Sequence, residues 1–343
     1  MDVNIINPLS LRGSSGRKLL AARRDPATGR IDLRGLRTPA IVVNGAVRNN
    51  ALLTRDEWVE MDNRIIPIAQ YEMNAVMDLV DAGLVHNLGG IGTTISQWQA
   101  VGDTGPANVA MNITAQGSKD LQAFEYDEVP IPIIFKDVEI DLRQLEASRR
   151  MGSDIDLTNY DEAARQVGIA CERMLLHGYS ESFLGKAIYG YTTHPNRTIV
   201  SGFETTPFNI TTAEDLILGL LREARLNDFR GPFNLYIPSG YDTELFRRFN
   251  DGSAEVLDDW MKKVTRITSI KENDLLEDGN MVLVQMQSNT VDLAVGFALA
   301  PIEWETMGGM VENTRVLTAQ APRLKKRKDG KMGVMHMRFQ PSA

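Results

Sequence analysis

The sequence predicts an α+β protein with more than one compact unit, and three observations carry that expectation. The first is length: 343 residues exceed the roughly 250–300 over which a single hydrophobic core stays one body. The second is a separation of patterns. Helical periodicity is strongest over residues 159–177, while apolar–polar alternation gathers on either side of it, at 129–142 and from 291 to 339. The third is the placement of charge. Lys plus Arg number 37 against 45 Asp plus Glu, a net of −8, yet residues 1–50 carry +6 and residues 323–343 another +6, which leaves −20 for residues 51–322. An acidic body with two basic ends is what a function must explain.

Residues 1–52 hold no regular period. Arg12, Arg17, Lys18, Arg23, Arg24, Arg30, Arg34 and Arg37 are punctuated by Gly13, Gly16, Gly29, Gly35, Pro26 and Pro39, the pattern of an extended basic arm that orders only against something else. A helical region is expected over 53–87. Thr54 and Glu57 fit a capping box, Trp58, Met61, Ile65, Ile68, Val76 and Leu79 keep helical spacing, Pro67 forces a kink or break, and Gly83 ends the helix. Residues 88–132 carry Gly89, Gly90, Gly92, Gly102, Gly105 and Gly117 without a helical pattern. So long a stretch predicts a projecting two-stranded ribbon rather than a loop.

Over 133–210, Val138, Ile140 and Leu142 alternate with acidic residues as in a half-solvated strand. Thr158 then caps a helix with Ala164, Val167, Cys171, Met174 and Leu175 on its apolar stripe, and Gly178 stops it. Residues 211–290 read as a compact unit. Thr212 opens a helix bearing Leu216, Leu220, Leu221 and Ala224, and Phe233–Ile237 is a strand. Leu245, Phe246 and Phe249 mark one further helix and Val256–Val264 another, and strands follow at Arg266–Ile270 and Met281–Met286. Alternation returns over 291–343. There Arg323, Lys325, Lys326, Arg327, Lys328 and Lys331 surround Asp329-Gly330, which reads as the turn of a basic C-terminal hairpin at 323–331.

The same chain lacks the common local signatures of catalysis and cofactor binding. No G-x-x-x-x-G-K-[ST] cradle occurs, and Gly89-Gly90-Ile91-Gly92 lacks the third glycine of a dinucleotide fingerprint. His86, His177, His194 and His336 are too scattered in sequence to form a local zinc motif, and the single cysteine, Cys171, excludes an internal disulfide. Cys171 and His177 fall on opposite sides of one helix. Asp258-Asp259 and Glu303/Glu305 read as solvated faces rather than an acid–base pair. No apolar run approaches the roughly 20 residues that span a bilayer, and the N-terminus lacks a secretory signal core. The expectation is a soluble non-enzyme without cofactor or metal.

A resemblance gives these negatives a context. Leu53, Thr54, Trp58, Asp62, Asn63 and Arg64 form a segment that resembles the opening helix of encapsulins, bacterial compartment shells sharing the Hong Kong 97-like fold of tailed-phage major capsid proteins. Phe135–Leu142, the acidic link Asp154–Leu157 and the helix ending Glu172–Tyr179 look like that family's strand, connection and long spine helix. Gly231–Ile237 is similar to a strand of its apex domain, and Asp292–Gly296 and Arg315–Thr318 to its closing strands. The similarity runs collinearly over about residues 53–322.

The resemblance implies an N-terminal arm, an extended β-ribbon loop at 88–132, a peripheral domain built on a spine helix at 158–178 and an apex domain at 211–290. It implies a major capsid protein that assembles with itself into pentamers and hexamers around double-stranded phage DNA, with the arm's cations meeting neighbouring subunits or screening DNA non-specifically. It places the chain in the virion, and in the host cytoplasm during assembly. A portal, a separate scaffolding protein and in some relatives a cement protein come with that expectation, and no membrane. The long arm and the 323–331 tract depart from compartment shells and favour the phage reading. An encapsulin-type compartment enclosing cargo enzymes is the alternative, and a soluble enzyme with an unrecognised site is a third class.

Overall fold

The computed structural model describes residues 23–24, 31–32, 65–101, 124–143, 147, 158–209, 211–247, 256–307, 310–327 and 329–341. The capping box at Thr54 and Glu57, and Gly102, Gly105 and Gly117, lie outside the described residues. Within the arm two short strands pair antiparallel, β1 (Arg23–Arg24) with β2 (Ile31–Asp32). The chain divides into two compact units.

The first unit gathers the described parts of Met1–Ile95, Pro130–Ile188 and Asp292–Pro322. Its helices are α1 (residues 65–72), α2 (Asn74–Asp81) and α3 (Thr158–His177). Pro67 does not break α1; the interruption falls at Met73, whose backbone leaves the helical region. Helix α3 buries Ala164, Val167, Cys171, Met174 and Leu175, the stripe the spacing predicts. It ends at Gly178, whose φ of 73° is the left-handed conformation that a side chain resists. The sheet of this unit runs β3-β13-β14-β6, comprising β3 (Val85–Asn87), β6 (Ile133–Asp141), β13 (Val291–Thr306) and β14 (Val311–Leu324). Strand β6 is antiparallel to β14 over nine paired positions from Ile133↔Ala319 to Asp141↔Val311. Val138 and Ile140 are buried while Asp137, Glu139 and Asp141 are exposed, so the alternation places one edge of the strand's core face against α3. Beyond α3, β7 (Gly178–Phe183) and β8 (Lys186–Tyr189) form a two-stranded sheet.

Ser96–Val129, Tyr189–Val291 and Arg323–Ala343 make up the second unit. Within residues 88–132, β4 (Ile95–Val101) and β5 (Phe124–Pro130) pair as a two-stranded sheet. The unit's main sheet has the order β11-β10-β12-β15-β9, from β9 (Thr198–Val200), β10 (Phe233–Pro238), β11 (Ile267–Asn273), β12 (Asn280–Gln285) and β15 (Val334–Arg338). Every residue of β10 is buried: β11 and β12 lie along its two edges, and both of its faces are covered. Helix α4 (Ala213–Leu226) buries Leu216, Ile217, Leu220, Leu221 and Ala224 at helical spacing into one cluster with Phe233, Leu235, Leu283 and Met335. Each such buried aliphatic side chain contributes roughly 1.5–3 kcal/mol over an exposed one. Thr212 precedes α4 as expected, but its hydroxyl turns back to Asn209 and to the Pro207 carbonyl rather than capping the helix. The helix expected around Leu245 and Phe246 is only α5 (Asp242–Leu245), with Phe246 exposed; α6 (Leu257–Val264) is as long as its spacing predicts.

One local expectation is corrected. The basic tract at 323–331 is not the tip of a regular hairpin, because β14 before it and β15 after it belong to different sheets. It is a turn between sheets, closed by a single antiparallel bridge, Lys326↔Met332, and by Arg327 N–H donating to the Lys331 carbonyl at 2.9 Å. Asp329-Gly330 does form the bend, with Gly330 at φ 79°.

Candidate assembly surfaces

Three places in the two units combine charge with geometry. The first is the basic turn. Arg323 is only 4% exposed; its Nη1 donates to the Ser96 hydroxyl at 3.2 Å and its guanidinium lies 5.8 Å from the Trp98 ring centroid. Lys325 Nζ donates to the Ser288 carbonyl at 2.6 Å, and Lys326 pairs with Asp127 at 3.4 Å. Arg327 lies over the Phe229 ring at 4.5 Å and reaches the Asp228 carbonyl. Ser96 and Trp98 belong to β4 and Asp127 to β5, so the turn fastens the base of the ribbon to the unit that carries it. Of the proposed tract, Arg323, Lys325, Lys326, Arg327 and Lys331 are brought together, and Lys328 lies outside the described residues.

Beneath the turn sits a histidine–arginine network. Arg197 Nε donates to His336 Nδ1 at 3.2 Å and Nη1 to the His194 carbonyl at 2.9 Å; His336 Nε2 lies 3.0 Å from Asn280 Oδ1. An arginine has no lone pair to give, so His336 Nδ1 accepts and Nε2 carries the proton. Asn196 donates its backbone N–H to His194 Nδ1 and its side chain to the Gly330 carbonyl, tying the network to the turn. Burial, with Lys326 and Arg197 nearby, lowers the His194 pKa to about 4.

The second place is the outer face of β6. Ile133 and Phe135 are 49% and 51% exposed, and two positions on, Asp137 takes Arg315 in a bidentate pair at 2.5 and 2.6 Å. The same guanidinium lies 4.3 Å from the Phe135 ring and 5.3 Å from Trp304. The hydrogen bonds from Arg315 lower the Asp137 pKa. The period of two puts Ile133, Phe135 and Asp137 on one face in the sequence already; Arg315, 178 residues away, carries no signal that would have joined it to them.

The third is buried. Glu172 on α3, 1% exposed, accepts the N–H groups of Ala75 at 2.7 Å and Val76 at 3.1 Å. Met73 offers α2 no side-chain cap, so a carboxylate from another helix supplies it.

Of the arm residues, Arg23 and Arg24 are described only as strand backbone, and Arg12, Arg17, Lys18, Arg30, Arg34 and Arg37 lie outside the described residues. Cys171 is buried, which pushes its thiol up to about 12. Among the described residues no group of three or more His, Cys, Asp or Glu is placed to hold a metal ion, and no helix is long and apolar enough to cross a membrane.

A two-stranded ribbon, a 20-residue helix packed on a long-stranded sheet and a separate mixed unit together make the Hong Kong 97-like fold of phage capsid and encapsulin shells. The chain belongs to a family of unknown function (DUF6260), which matches residues 46–337. Its structure is similar to that of the virus-like particle from Pyrococcus furiosus, with 13% identity and a TM-score of 0.55 over 81% of this chain and 98% of that one. It is similar too to the capsid of Myoviridae phage XM1, at 11% identity and a TM-score of 0.58 over 75% and 89% of the two chains. The capsid of Ralstonia phage GP4 has 9% identity and a TM-score of 0.51 over 76% and 88%. No curated protein sequence matches the chain.

Proposed function

We propose that the chain is the major capsid protein of a tailed phage, a non-enzymatic subunit that assembles into pentamers and hexamers around double-stranded DNA. One observation carries the reading: the fold accounts for nearly the whole length of shell subunits, 98% and 89% of two of them, rather than for a fragment. The division into arm (1–52), helix region (53–87), ribbon (88–132), peripheral domain and apex domain belongs to this proposal. The expected bounds of 133–210 with 291–343 for the peripheral domain and 211–290 for the apex domain give way to 133–188 with 292–322 and 189–291 with 323–343, because β9 and β15 pair within the sheet of the second unit. So do the portal, a separate scaffolding protein, a cement protein where one is used, and residence in the host cytoplasm before the virion.

Charge supports a nucleic-acid content. Residues 1–50 carry +6 on an acidic body, and such a segment neutralises phosphate without reading sequence. The arm's arginines pair with the acidic bodies of neighbours and screen DNA. Negative-stain imaging of the expressed full chain, with the ultraviolet absorbance ratio of the purified particles, tests the reading. Closed shells are the expected result, and a chain that stays monomeric refutes it. Shells that hold protein and exclude nucleic acid would assign the chain to a cargo compartment. Removing residues 2–50 is expected to abolish closed shells and leave a folded subunit; normal shells without the arm would remove its locking role.

A further inference from the structure

The second unit is electrically polar along its central strands. Strands β10 and β11 run parallel, with Phe233 opposite Ile267 at one end and Pro238 opposite Asn273 at the other. At the Phe233 end, two adjoining open concavities of about 380 and 460 Å³ share Leu221 and Arg225. Arg222, Arg225, Arg230 and Arg266 line them, all four exposed, and the only carboxylate in the lining is Asp228. Arg266 Nη1 donates to the Arg230 carbonyl at 3.1 Å, which holds the two at one place. Among the described residues none of these four guanidinium groups pairs with a carboxylate. The floor is apolar: Leu218 and Leu226 are exposed, beside Leu221 and Phe233. At the opposite end, past Asn273, the loop into β12 exposes Asp274, Glu277 and Asp278 around a partly exposed Leu275. Seven residues of β11 separate the two ends by about 23 Å.

We infer that this arginine–leucine groove receives the Asp274–Asp278 loop of a second copy of the chain, so that successive copies dock head to tail. Unpaired guanidinium groups around apolar side chains fit an acidic peptide segment that brings an apolar residue, here Leu275. A nucleic-acid backbone would neutralise the arginines and leave Leu218 and Leu226 uncovered. The chain supplies the acidic partner itself, on the far end of the same unit. Used once per neighbour the contact is heterologous, and repetition yields a ring where the rotation between copies closes. A reciprocal antiparallel pairing would instead stop at a two-fold dimer, which the particle size in light scattering tells apart. The inference rests on the shell-subunit reading for the statement that copies associate, and it names the surfaces by which they do so.

The test is charge exchange in the full-length chain. Arg225→Glu with Arg266→Glu reverses the groove, and Asp274→Arg with Glu277→Arg reverses the loop; all four side chains are exposed, and circular dichroism checks each fold. Each pair alone is expected to raise the protein concentration needed for assembly by about tenfold or more in light scattering. The four changes combined in one chain restore assembly, and the wild-type threshold rises with added salt. Reversed grooves that assemble at the wild-type concentration assign the groove to some other partner and overturn the inference while leaving the shell reading intact. Single-pair defects that the combined chain fails to rescue overturn it too. A wild-type chain that never assembles removes the shell reading, and the inference with it.

Discussion

Replacing Glu172 by Gln tests how the first unit is held together. Helix α2 has eight residues, too few to persist without tertiary support, and the carboxylate of Glu172 occupies two of its free N–H groups. Gln keeps the shape and one acceptor, but its –NH₂ must then face an N–H. One charge-assisted bond is lost, at roughly 1.5–3 kcal/mol, together with about 0.3–1 kcal/mol of attraction between the charge and the helix N-terminus. Relief of the charge's burial returns part of this, so the expected net loss is about 2–3 kcal/mol. Against the roughly 5–15 kcal/mol that stabilises a domain, that is a large share. Equilibrium urea unfolding of unassembled subunits, at fixed concentration because assembly adds its own stability, should show a lower midpoint with an unchanged slope. Amide exchange should quicken at Ala75 and Val76 more than at Leu175. Glu162→Gln, at an exposed ion pair with Arg165, is the control. A Glu172→Gln loss no larger than that control's, with protection at Ala75 unchanged, would refute the tertiary cap.

Gly168→Ala on α3 places a Cβ 2.5 Å from the Ala69 carbonyl oxygen of α1. Backbone cannot step aside, so overpacking of about 1–3 kcal/mol should exceed the roughly 1 kcal/mol of helix propensity gained, and a rise in unfolding midpoint would contradict that. Acid should loosen the second unit through His194. Its folded pKa, lowered to about 4, means that the stability it contributes is full above the unfolded value near 6.5 and is lost as pH falls toward 4. Partial solvation limits the loss to about 1–2 kcal/mol, and His194→Gln should flatten the dependence of the urea midpoint over that window. Arg323→Ala and Arg315→Ala contrast burial with exposure. The buried arginine should cost about 2–3 kcal/mol. The pair of Arg315 with Asp137, 37% and 39% exposed, should cost under about 1 kcal/mol, and equal losses in thermal or urea unfolding would refute the distinction.

Local rules made some elements legible and left others unreadable. Helix α3 runs Thr158–His177 because stripe, length and terminal glycine all agree, and β6 alternates because one of its faces is solvated and the other packs on α3. Where a single cue stood alone it misled. Pro67 suggested the break in the first helical region, yet the break is at Met73. The Asp329-Gly330 bend was read correctly, but a turn signal says nothing about which sheets its arms join, and here they join different ones. Partners far apart in sequence were out of reach. Glu172 reaches Ala75 across 97 residues and Arg315 reaches Asp137 across 178, and neither pair has a local pattern. The groove of Arg222, Arg225, Arg230 and Arg266 was hidden for the same reason: α4 and β11 must be packed before its arginines are neighbours.

The charge pattern that the sequence presents as two equivalent basic ends separates once geometry is known. In the 323–331 tract, Arg323 is spent on Ser96 and Trp98, Lys325 on a carbonyl, Lys326 on Asp127, and Arg327 on Phe229 and the Asp228 carbonyl. These cations keep their long-range field, but most no longer have a free head group to lay along a phosphate backbone without breaking an internal contact. Their work is to fix the ribbon base and the turn. On the shell reading proposed above, phosphate neutralisation is left to the arm, residues 1–50, whose net charge is +6. The exposed arginines of the second unit form a further positive site that total charge concealed, since residues 51–322 sum to −20 around it. On the docking inferred above, an acidic subunit with a local basic groove would attract the acidic end of its neighbour while repelling it elsewhere, and that would select one docking direction from many.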